Sequence, residues 1–301
     1  MSERRRLINL AYRLLGSLAE AEDVVQETYA RWYALSPAER DAIEVPGAWL
    51  TTVAGRLCLT LLGSARVRRE RYVGGWLPEP LPDADPADRV TLDESVSIAF
   101  LVVLDSMTPA ERVAFILHDV FRYSFAEVSA VLGRSPAASR QLASSARRRV
   151  RSVPAGPAGR AAAGDRAEIV RRFRRAWAAK DMGALLDLLD PDATAVADGG
   201  GRVLTFLEPI EGATAVAQAW LELADRADDH TAIVERTVNG QPGLVAEHDG
   251  VTATVFAFGF TGDRIGRIWV MRNPDKLRSW ITPAPDPDRV PRDGEPRVGA
   301  P

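Results

Sequence analysis

Few side chains of this 301-residue sequence have the types and spacing that catalysis needs. Acid–base chemistry requires a positioned acid or base and a donor for the developing oxyanion. Residues 165–301 hold Asp198 before three glycines, and His230 and His248 each beside an Asp, but no Tyr. Both His positions read as exposed turns. Asp198 is either an acid within a pocket or the start of a glycine turn that needs positive φ, and the sequence favours neither reading.

Metal and phosphate-loop chemistry have no better support. The single Cys58 and the three scattered His residues lack the spacing of metal ligands, and no glycine-rich loop ends in Gly-Lys-Ser or Gly-Lys-Thr. Trp177, Trp220 and Trp269 are expected in a core rather than around a ligand. The sequence therefore predicts that the chain is not an enzyme and has no catalytic, cofactor or metal site.

The arginines point to a different chemistry, the binding of phosphate. The formal net charge is −3, but residues 1–164 hold 21 basic and 19 acidic side chains, whereas residues 165–301 hold 17 and 22. Six arginines and no acid lie in residues 134–151, and four arginines with one opposing acid lie in residues 66–71. Unopposed arginines bind nucleic-acid backbones. An acidic, proline-containing stretch at 79–94 separates these two basic clusters.

The second basic cluster lies on a predicted helix-turn-helix. Ser124 and Glu127 form a capping box that starts one helix, and Gly133 ends it. Ser135 caps the next helix, whose first position is Pro136. The side chains of this second helix that are predicted to face outward, as entry into a major groove requires, are Ser139, Arg140, Ser144, Arg147 and Arg148. The alternative is an ordinary helical hairpin whose arginines are solvated.

The elements that must position these residues fall into three groups. Apolar residues spaced by three, four and seven predict two helical blocks, and linkers rich in Pro, Gly and Ala interrupt them. The rest reads as helices followed by antiparallel strands, one of them at 203–207, which is an α+β pattern. The predicted divisions are a helical domain at 5–72, a linker at 73–91, a helix-turn-helix domain at 92–151, a linker at 152–164, an α+β domain at 165–282 and a disordered, proline-rich tail at 283–301.

The composition indicates the cellular compartment of the protein. One cysteine cannot form an internal disulfide, which favours a reducing compartment. No apolar run approaches the ~20 residues of a spanning helix. We therefore expect a soluble cytoplasmic protein without a membrane partner.

Residues 21–32, with the sequence AEDVVQETYARW, closely resemble the polymerase-binding segment of region 2 of bacterial extracytoplasmic-function (ECF) sigma factors. A helix-turn-helix similar to region 4 follows at 108–150, in the correct order and at the right distance. The resemblance covers nearly all of residues 5–151. It implies an all-α half made of a region 2 helical bundle and a region 4 domain, which bind the β′ clamp and the β flap of RNA polymerase core.

The resemblance also implies roles for individual residues. Those implied to bind polymerase are Glu22, Asp23, Gln26 and Glu27, for which a solvated helix face is the alternative. Those implied to melt and read the promoter −10 element are Trp49, Thr52, Arg56, Arg66, Arg68, Arg69 and Arg71. Unstacked bases would rest on aromatic or apolar surfaces and the arginines on the backbone, while region 4 reads the −35 element. A plain core position remains open for Trp49.

Three further motifs are WLPEP at 76–80, DGGG at 198–201 and NPDKL at 273–277. They resemble signatures of the sigma-J-like group of these factors, in which a SnoaL-like domain is fused to the C-terminus. The implied fold of residues 165–282 is an α+β, cone-shaped barrel with a pocket. This domain is implied to regulate the sigma domains in cis in place of a separate anti-sigma protein. The residues implied to make regulatory contacts are Trp76, Leu77, Pro78, Glu79, Pro80, Asp198, Gly199, Gly200, Gly201, Asn273, Pro274, Asp275 and Lys276.

Two positions depart from the family pattern. Residues 60–63, Thr-Leu-Leu-Gly, replace a charged pattern and introduce a helix breaker, Gly63. Ser145 stands where an arginine is usual in the recognition helix. Loss of phosphate contacts lowers the affinity for DNA and makes that affinity less dependent on salt. We therefore expect weak, polymerase-dependent promoter binding.

The sequence thus predicts an alternative sigma factor that directs RNA polymerase core to promoters, located in the cytoplasm on the nucleoid. An unidentified small ligand in the C-terminal pocket is a further partner to consider. One alternative is a ligand-sensing helix-turn-helix regulator that does not bind polymerase. The other is a SnoaL-like isomerase or cyclase with a DNA-binding appendage.

Overall fold

A computed structural model describes residues 3–69, 72–82, 96–152 and 163–281. In the first of these ranges lie α1 (Glu3–Leu15), α2 (Leu18–Ala34), α3 (Pro37–Asp41) and α4 (Pro46–Arg69). α1 packs against both α2 and α4 and is buried from Leu7 to its end. α4 continues without interruption through Gly63, so this glycine does not break the helix as its type suggested.

The second helical domain contains the predicted helix-turn-helix. Its elements are α5 (Ile98–Asp105), α6 (Pro109–Phe115), a π-helical turn (Ile116–Val120), α7 (Phe125–Leu132) and α8 (Pro136–Ser152). The capping box of Ser124 and Glu127 starts α7 as predicted. Gly133 has a left-handed φ of 63° and makes the tight turn into α8.

The C-terminal domain is a mixed α+β unit. Its elements are α9 (Ala163–Ala178), α10 (Met182–Leu188), β1 (Leu189–Asp198), β2 (Ile210–Glu211), α11 (Ala213–Arg226), β3 (Thr231–Val238), β4 (Gln241–His248), β5 (Val251–Thr261) and β6 (Arg264–Met271). The strands form a sheet in the order β2-β1-β6-β5-β4-β3. β1 pairs with β6 in parallel, which corrects the expectation of an entirely antiparallel sheet.

The strand predicted at 203–207 is wrong. This segment is an exposed loop, and the short strand β2 follows it instead. Its run of Val, Leu, Thr, Phe and Leu is typical of a strand in composition, but Leu204 and Leu207 point to solvent, with 85% and 57% of their surfaces exposed. Two residues with positive φ, Gly200 and Gly201, turn the chain just before the loop.

The two faces of the sheet lie in two different cores. On one face, α9, α10 and α11 pack against sheet residues that include Phe256 and Phe258, and Trp177 and Trp220 are buried there as predicted. Neighbouring strand residues point to the other face. The side chains of that second face, among them Val255 and Trp269, belong to one apolar cluster with the buried residues of both helical domains. The C-terminal domain is therefore packed directly onto the helical half.

None of the helices within the described ranges is long and apolar enough to cross a bilayer.

Candidate functional site

The acidic face of α2 is free in this conformation. The four side chains implied to bind polymerase are all exposed on one side of the helix, and they are Glu22, Asp23, Gln26 and Glu27. On the opposite side Val24 and Val25 are buried against the bundle. Glu27 accepts a hydrogen bond of 2.8 Å from Arg31, one turn further along. The helix therefore presents a polar, mainly acidic surface, held in place by its apolar side.

The side chains of α4 implied to contact the −10 element already have partners inside the protein. Trp49 is half-buried, with its ring 5.3 Å from that of Trp32 at an angle of 61°. Thr52 donates to the carbonyl of Ala48, one turn earlier. Arg56 is exposed, but its guanidinium donates two hydrogen bonds, of 2.7 and 3.3 Å, to the carbonyl of Ala130 on α7.

The side chains of four predicted arginines lie outside the described part of the structure. Arg66, Arg68 and Arg69 belong to the last turns of α4. Arg71 lies outside the described residues altogether.

The outer face of α8 differs from the prediction at two positions. Arg140 and Arg148 are exposed and Ser144 is half-buried, in keeping with an outward face. The prediction for Ser139 is wrong, because this side chain is fully buried and its Oγ lies 3.1 Å from Ser129 Oγ on α7. Ala143 and Ala146, one and two turns later on the same face of α8, are also fully buried. Arg147 is half-buried and forms an ion pair of 2.7 Å with Asp119.

Sequence reasoning missed part of the α8 surface. Gln141 is exposed next to Arg140, and Arg134 and Arg151 are exposed at the two ends of the helix. Helical spacing could have identified Gln141, because it lies one turn from both Ala137 and Ser144 and therefore on the same face of α8. Within the described ranges, Arg134, Arg140, Arg148 and Arg151 form no ion pair, whereas the exposed Arg149 pairs with Glu111 at 3.6 Å. The guanidinium of Arg140 lies over the ring of Phe125, 5.1 Å from its centroid.

The position of Ser145, which replaces the arginine usual in the family, follows from its contact with α6. Its hydroxyl donates to Glu111 Oε1 at 2.6 Å, so it faces α6 rather than the outer surface of α8.

The two helical domains are packed against each other. A Cβ added to Gly55 on α4 would lie 2.7 Å from a methyl group of Val131 on α7, so the two backbones approach closely at this point. Tyr123 reaches from the second helical domain into the first, where its hydroxyl lies 2.8 Å from that of Thr51. Arg112 of α6 donates to the carbonyl of Leu14 at 2.9 Å. α7 thus covers the part of α4 that carries Arg56.

An extended segment, residues 72–82, follows α4 and contacts both the helical half and the C-terminal domain, and we call it the strap. Its first anchor is Asp198, which is fully buried at the end of β1. Asp198 Oδ1 accepts from the hydroxyl of Tyr72 at 2.6 Å and from the amide of Gly200 at 3.0 Å. Asp198 Oδ2 accepts from the amide of Leu77 at 2.9 Å and from Lys276 Nζ at 2.7 Å.

Lys276 completes this anchor. Besides its ion pair with Asp198, Nζ donates to the carbonyl of Leu77 at 2.6 Å and lies 4.2 Å from the ring centroid of Trp76. Asn273 Nδ2 donates to the hydroxyl of Tyr72 at 2.8 Å. Burial, followed by the hydrogen bond and charge of Asp198, raises the pKa of Tyr72. The three motifs that the resemblance singled out therefore meet in one buried cluster.

The glycines after Asp198 are needed for the turn. Gly200 has a φ of +65°, and a Cβ there would overlap the side-chain amide of Asn273. A Cβ on Gly199 would overlap the carbonyl of Val203. The carboxylate of Asp198 is occupied by the strap and Lys276, so its contacts are those of a structural anchor. In the same motif as Lys276, Pro274 and Asp275 are exposed, and Asp275 pairs with Arg202 at 2.7 Å.

The second anchor of the strap was missed by sequence reasoning. The hydroxyl of Tyr12 on α1 donates to the carbonyl of Glu79 at 2.8 Å and accepts from Asn239 Nδ2 at 2.8 Å. Asn239 also binds Leu81 through its side chain and its backbone. The indole of Trp280 donates to the carbonyl of Pro80 at 2.8 Å. Tyr12 and Asn239 are 227 residues apart, and no local pattern links them.

The remaining candidates for chemistry lie apart from this cluster. His230 and His248 are exposed at the ends of β-hairpins, where His230 Nδ1 lies 2.9 Å from Asp249. A surface cavity of about 560 Å³ is lined by α10, α11 and the ends of β1 and β6, with Glu211 and Arg264 among its polar residues. Among the described side chains, no group of three or more His, Cys, Asp or Glu is arranged to hold a metal ion.

Residues 1–68 match the family Sigma-70 region 2, and residues 97–150 match the family Sigma-70, region 4. A region 2 bundle followed by a region 4 helix-turn-helix defines the sigma-70 class of transcription initiation factors.

The ECF RNA polymerase sigma factor SigJ of Mycobacterium tuberculosis is 39% identical over 287 residues, which cover 91% of this chain and 90% of SigJ. The probable ECF RNA polymerase sigma factor SigI of the same species is 33% identical, with 92% of each chain covered. The crystal structure of M. tuberculosis SigJ superposes with a TM-score of 0.73 over 92% of this chain and 96% of that chain, at 35% identity. The chain therefore belongs to the ECF RNA polymerase sigma factors. Its function is the initiation of transcription as an alternative sigma factor, as predicted.

Proposed function

We propose that the C-terminal domain regulates this sigma factor in cis by keeping region 2 and region 4 closed on each other. The observation that carries the proposal is the shared core, in which the second face of the sheet packs with the buried residues of both sigma regions. The strap adds polar anchors at Asp198 and Asn239. As a switch requires, the proposal gives this interface a released arrangement in addition to the closed one.

In this proposal α2 docks on the β′ clamp, region 4 on the β flap, α4 on the −10 element and α8 on the −35 element. Closure then affects these surfaces unequally. The acidic face of α2 is exposed, so the closed chain can bind core polymerase. By contrast, Arg56 on α4 is bonded to region 4, and α7 packs on the neighbouring Gly55. Regulation therefore acts on promoter engagement, where region 2 and region 4 have to separate.

The C-terminal domain acts in this scheme by contact and not by catalysis. The acid that sequence reasoning considered for a pocket, Asp198, is bound by the strap and Lys276. A small ligand, if the domain has one, would bind in the cavity between α10 and α11, which lies apart from that cluster. The site of action is the cytoplasm, on the nucleoid, where polymerase meets promoters.

A disulfide between α4 and α7 tests the proposal. A Cβ on Gly55 would lie 3.7 Å from Val131 Cβ, which is within the range for a disulfide. The variant Gly55→Cys with Val131→Cys should cross-link on oxidation, while the natural Cys58 stays buried.

We expect the oxidised variant to bind core polymerase like the wild type and to lose promoter-dependent transcription in a reconstituted assay. Reduction should restore transcription. The Val131→Cys variant, oxidised in parallel, and the reduced double variant are the matched controls, because Gly55→Cys alone would place its Cβ 2.7 Å from a methyl group of Val131. Equal transcription from the oxidised and reduced forms would refute closure as the regulatory step.

A further inference from the structure

The strap also touches α2 at the point where that helix begins. The first N–H groups of any helix lack partners within the helix. Ser17, the N-cap residue of α2, accepts from the amide of Glu20 at 3.3 Å. Glu79 of the strap supplies a second acceptor, since its Oε2 accepts from the amide of Leu18 at 2.8 Å and from the hydroxyl of Ser17 at 3.2 Å. The cap of α2 is therefore shared with a residue 61 positions further along the chain.

The backbone of the strap is fixed at the same place. The amide of Glu79 donates to the carbonyl of Gly16 at 2.7 Å, and its own carbonyl accepts from Tyr12. Trp76 and Pro78 pack over Gly16, where an added Cβ would lie 3.0 Å from the indole ring of Trp76. Glu79 is 5% exposed, which is unusual for a glutamate. These contacts hold the carboxylate in one position against the end of α2.

The capped turn leads directly into the proposed polymerase-binding face. α2 begins at Leu18, and the acidic face begins one turn later at Glu22. We infer that Glu79 is a positioning residue for polymerase binding, because its carboxylate fixes the first turn of α2 and so sets the acidic face for docking. The inference rests on the proposed polymerase-binding role of α2.

This arrangement couples two events. The other end of the strap is anchored on Asp198 and Lys276 of the C-terminal domain. Release of the strap there would remove the carboxylate from α2 and weaken polymerase binding. Because coupling between two sites is reciprocal, polymerase bound to α2 would in turn favour the docked strap.

The test measures the affinity of the full-length chain for core polymerase. Glu79→Ala should weaken binding by about five-fold, the size expected for loss of a helix N-cap. Glu79→Gln, which keeps the shape and one acceptor oxygen, should have a smaller effect and covers the case in which the Ala variant does not fold. Glu39→Ala is the matched control, since it removes the equivalent glutamate from the capping box of α3, away from the strap, and should leave the affinity unchanged.

A second substitution separates positioning from general loss of structure. Ser17→Asp in the Glu79→Ala background places a carboxylate at the N-cap position of α2 itself. A negative charge at this position stabilises the N-terminus of a helix. We expect it to restore most of the affinity. A weakened Glu79→Ala that Ser17→Asp does not rescue would overturn the positioning role.

Asp23→Ala distinguishes failure of this inference from failure of the proposed function. If Asp23→Ala weakens core binding and neither Glu79 variant does, the positioning role is overturned and the assignment of α2 stands. If Asp23→Ala leaves binding unchanged, the polymerase-binding role of α2 is itself wrong, and the inference falls with it.

Discussion

Replacing Asp198 by Asn removes the negative charge at the centre of the first strap anchor and keeps the size of the side chain. Lys276, whose side chain is 12% exposed, would then lose its ion pair with Asp198. An Asn has one acceptor oxygen, whereas the carboxylate of Asp198 accepts from four donors. Removing one partner of a buried ion pair costs about 3–5 kcal/mol.

The substitution therefore destabilises the docked state of the strap by about this free energy. This free energy corresponds to roughly two to three and a half orders of magnitude in the equilibrium between docked and released strap. Hydrogen exchange of a peptide covering residues 72–82 reports this equilibrium, because the amides of Leu77, Glu79 and Leu81 are all bonded in the docked state. We expect the exchange of this peptide in Asp198→Asn to accelerate by that factor, up to the limit of a fully released strap.

Asp275→Asn is the matched control for this experiment. Asp275 belongs to the same motif as Lys276, but its ion pairs with Arg202 and Arg278 are exposed. Exposed pairs contribute little, so the strap should exchange less than tenfold faster. The reasoning fails if Asp198→Asn exchanges at the wild-type rate, or if the two variants accelerate exchange equally.

Three further predictions follow from single side chains. Arg148→Ala should weaken promoter binding by the holoenzyme and lower the slope of log affinity against log salt by about 1, and an unchanged slope in a salt titration would exclude a phosphate contact. Burial raises the pKa of Glu79 above its ordinary value of 4.5. The folded chain therefore holds this proton at a higher pH than the unfolded chain, so the wild type should lose unfolding free energy relative to Glu79→Gln as pH rises from 4.5 through the folded pKa. Denaturant unfolding at several pH values would measure the difference, and parallel curves would contradict it. Burial also raises the pKa of Cys58, so a thiol reagent should react with the folded chain far more slowly than with the unfolded one.

Local patterns in the sequence were sufficient to predict the helix-turn-helix. The capping box of Ser124 and Glu127 and the turn at Gly133 involve residues only a few positions apart, and each forms as predicted. Burial at the helix-turn-helix was harder to predict. Ser139 is polar and reads as a surface residue, yet it faces inward because a small hydroxyl can be satisfied by Ser129 across the helix pair.

The parts that could not be predicted depend on contacts between distant segments. The loop at 203–207 has the composition of a strand, but β1 pairs with the two residues of β2 instead, and this pairing depends on the sheet as a whole. The parallel pairing of β1 with β6 is also a property of the topology. The residues of the strap anchors were recognised where they belong to motifs, such as Asp198 and Lys276. Tyr12 and Asn239 carry no such pattern, because each gains its role only when the strap lies between them.

The shared core has a consequence for how much inhibitor the cell needs. A separate inhibitor protein binds its target according to the concentrations of both molecules, whereas a tethered domain meets its target at an effective concentration set by the connecting chain. Here the second face of the sheet is joined to the sigma regions through one chain and one apolar cluster. In the proposed regulation the ratio of inhibitor to sigma factor is therefore fixed at one to one. Changes in expression alter the number of molecules, while the closed fraction stays constant and responds only to whatever opens the interface.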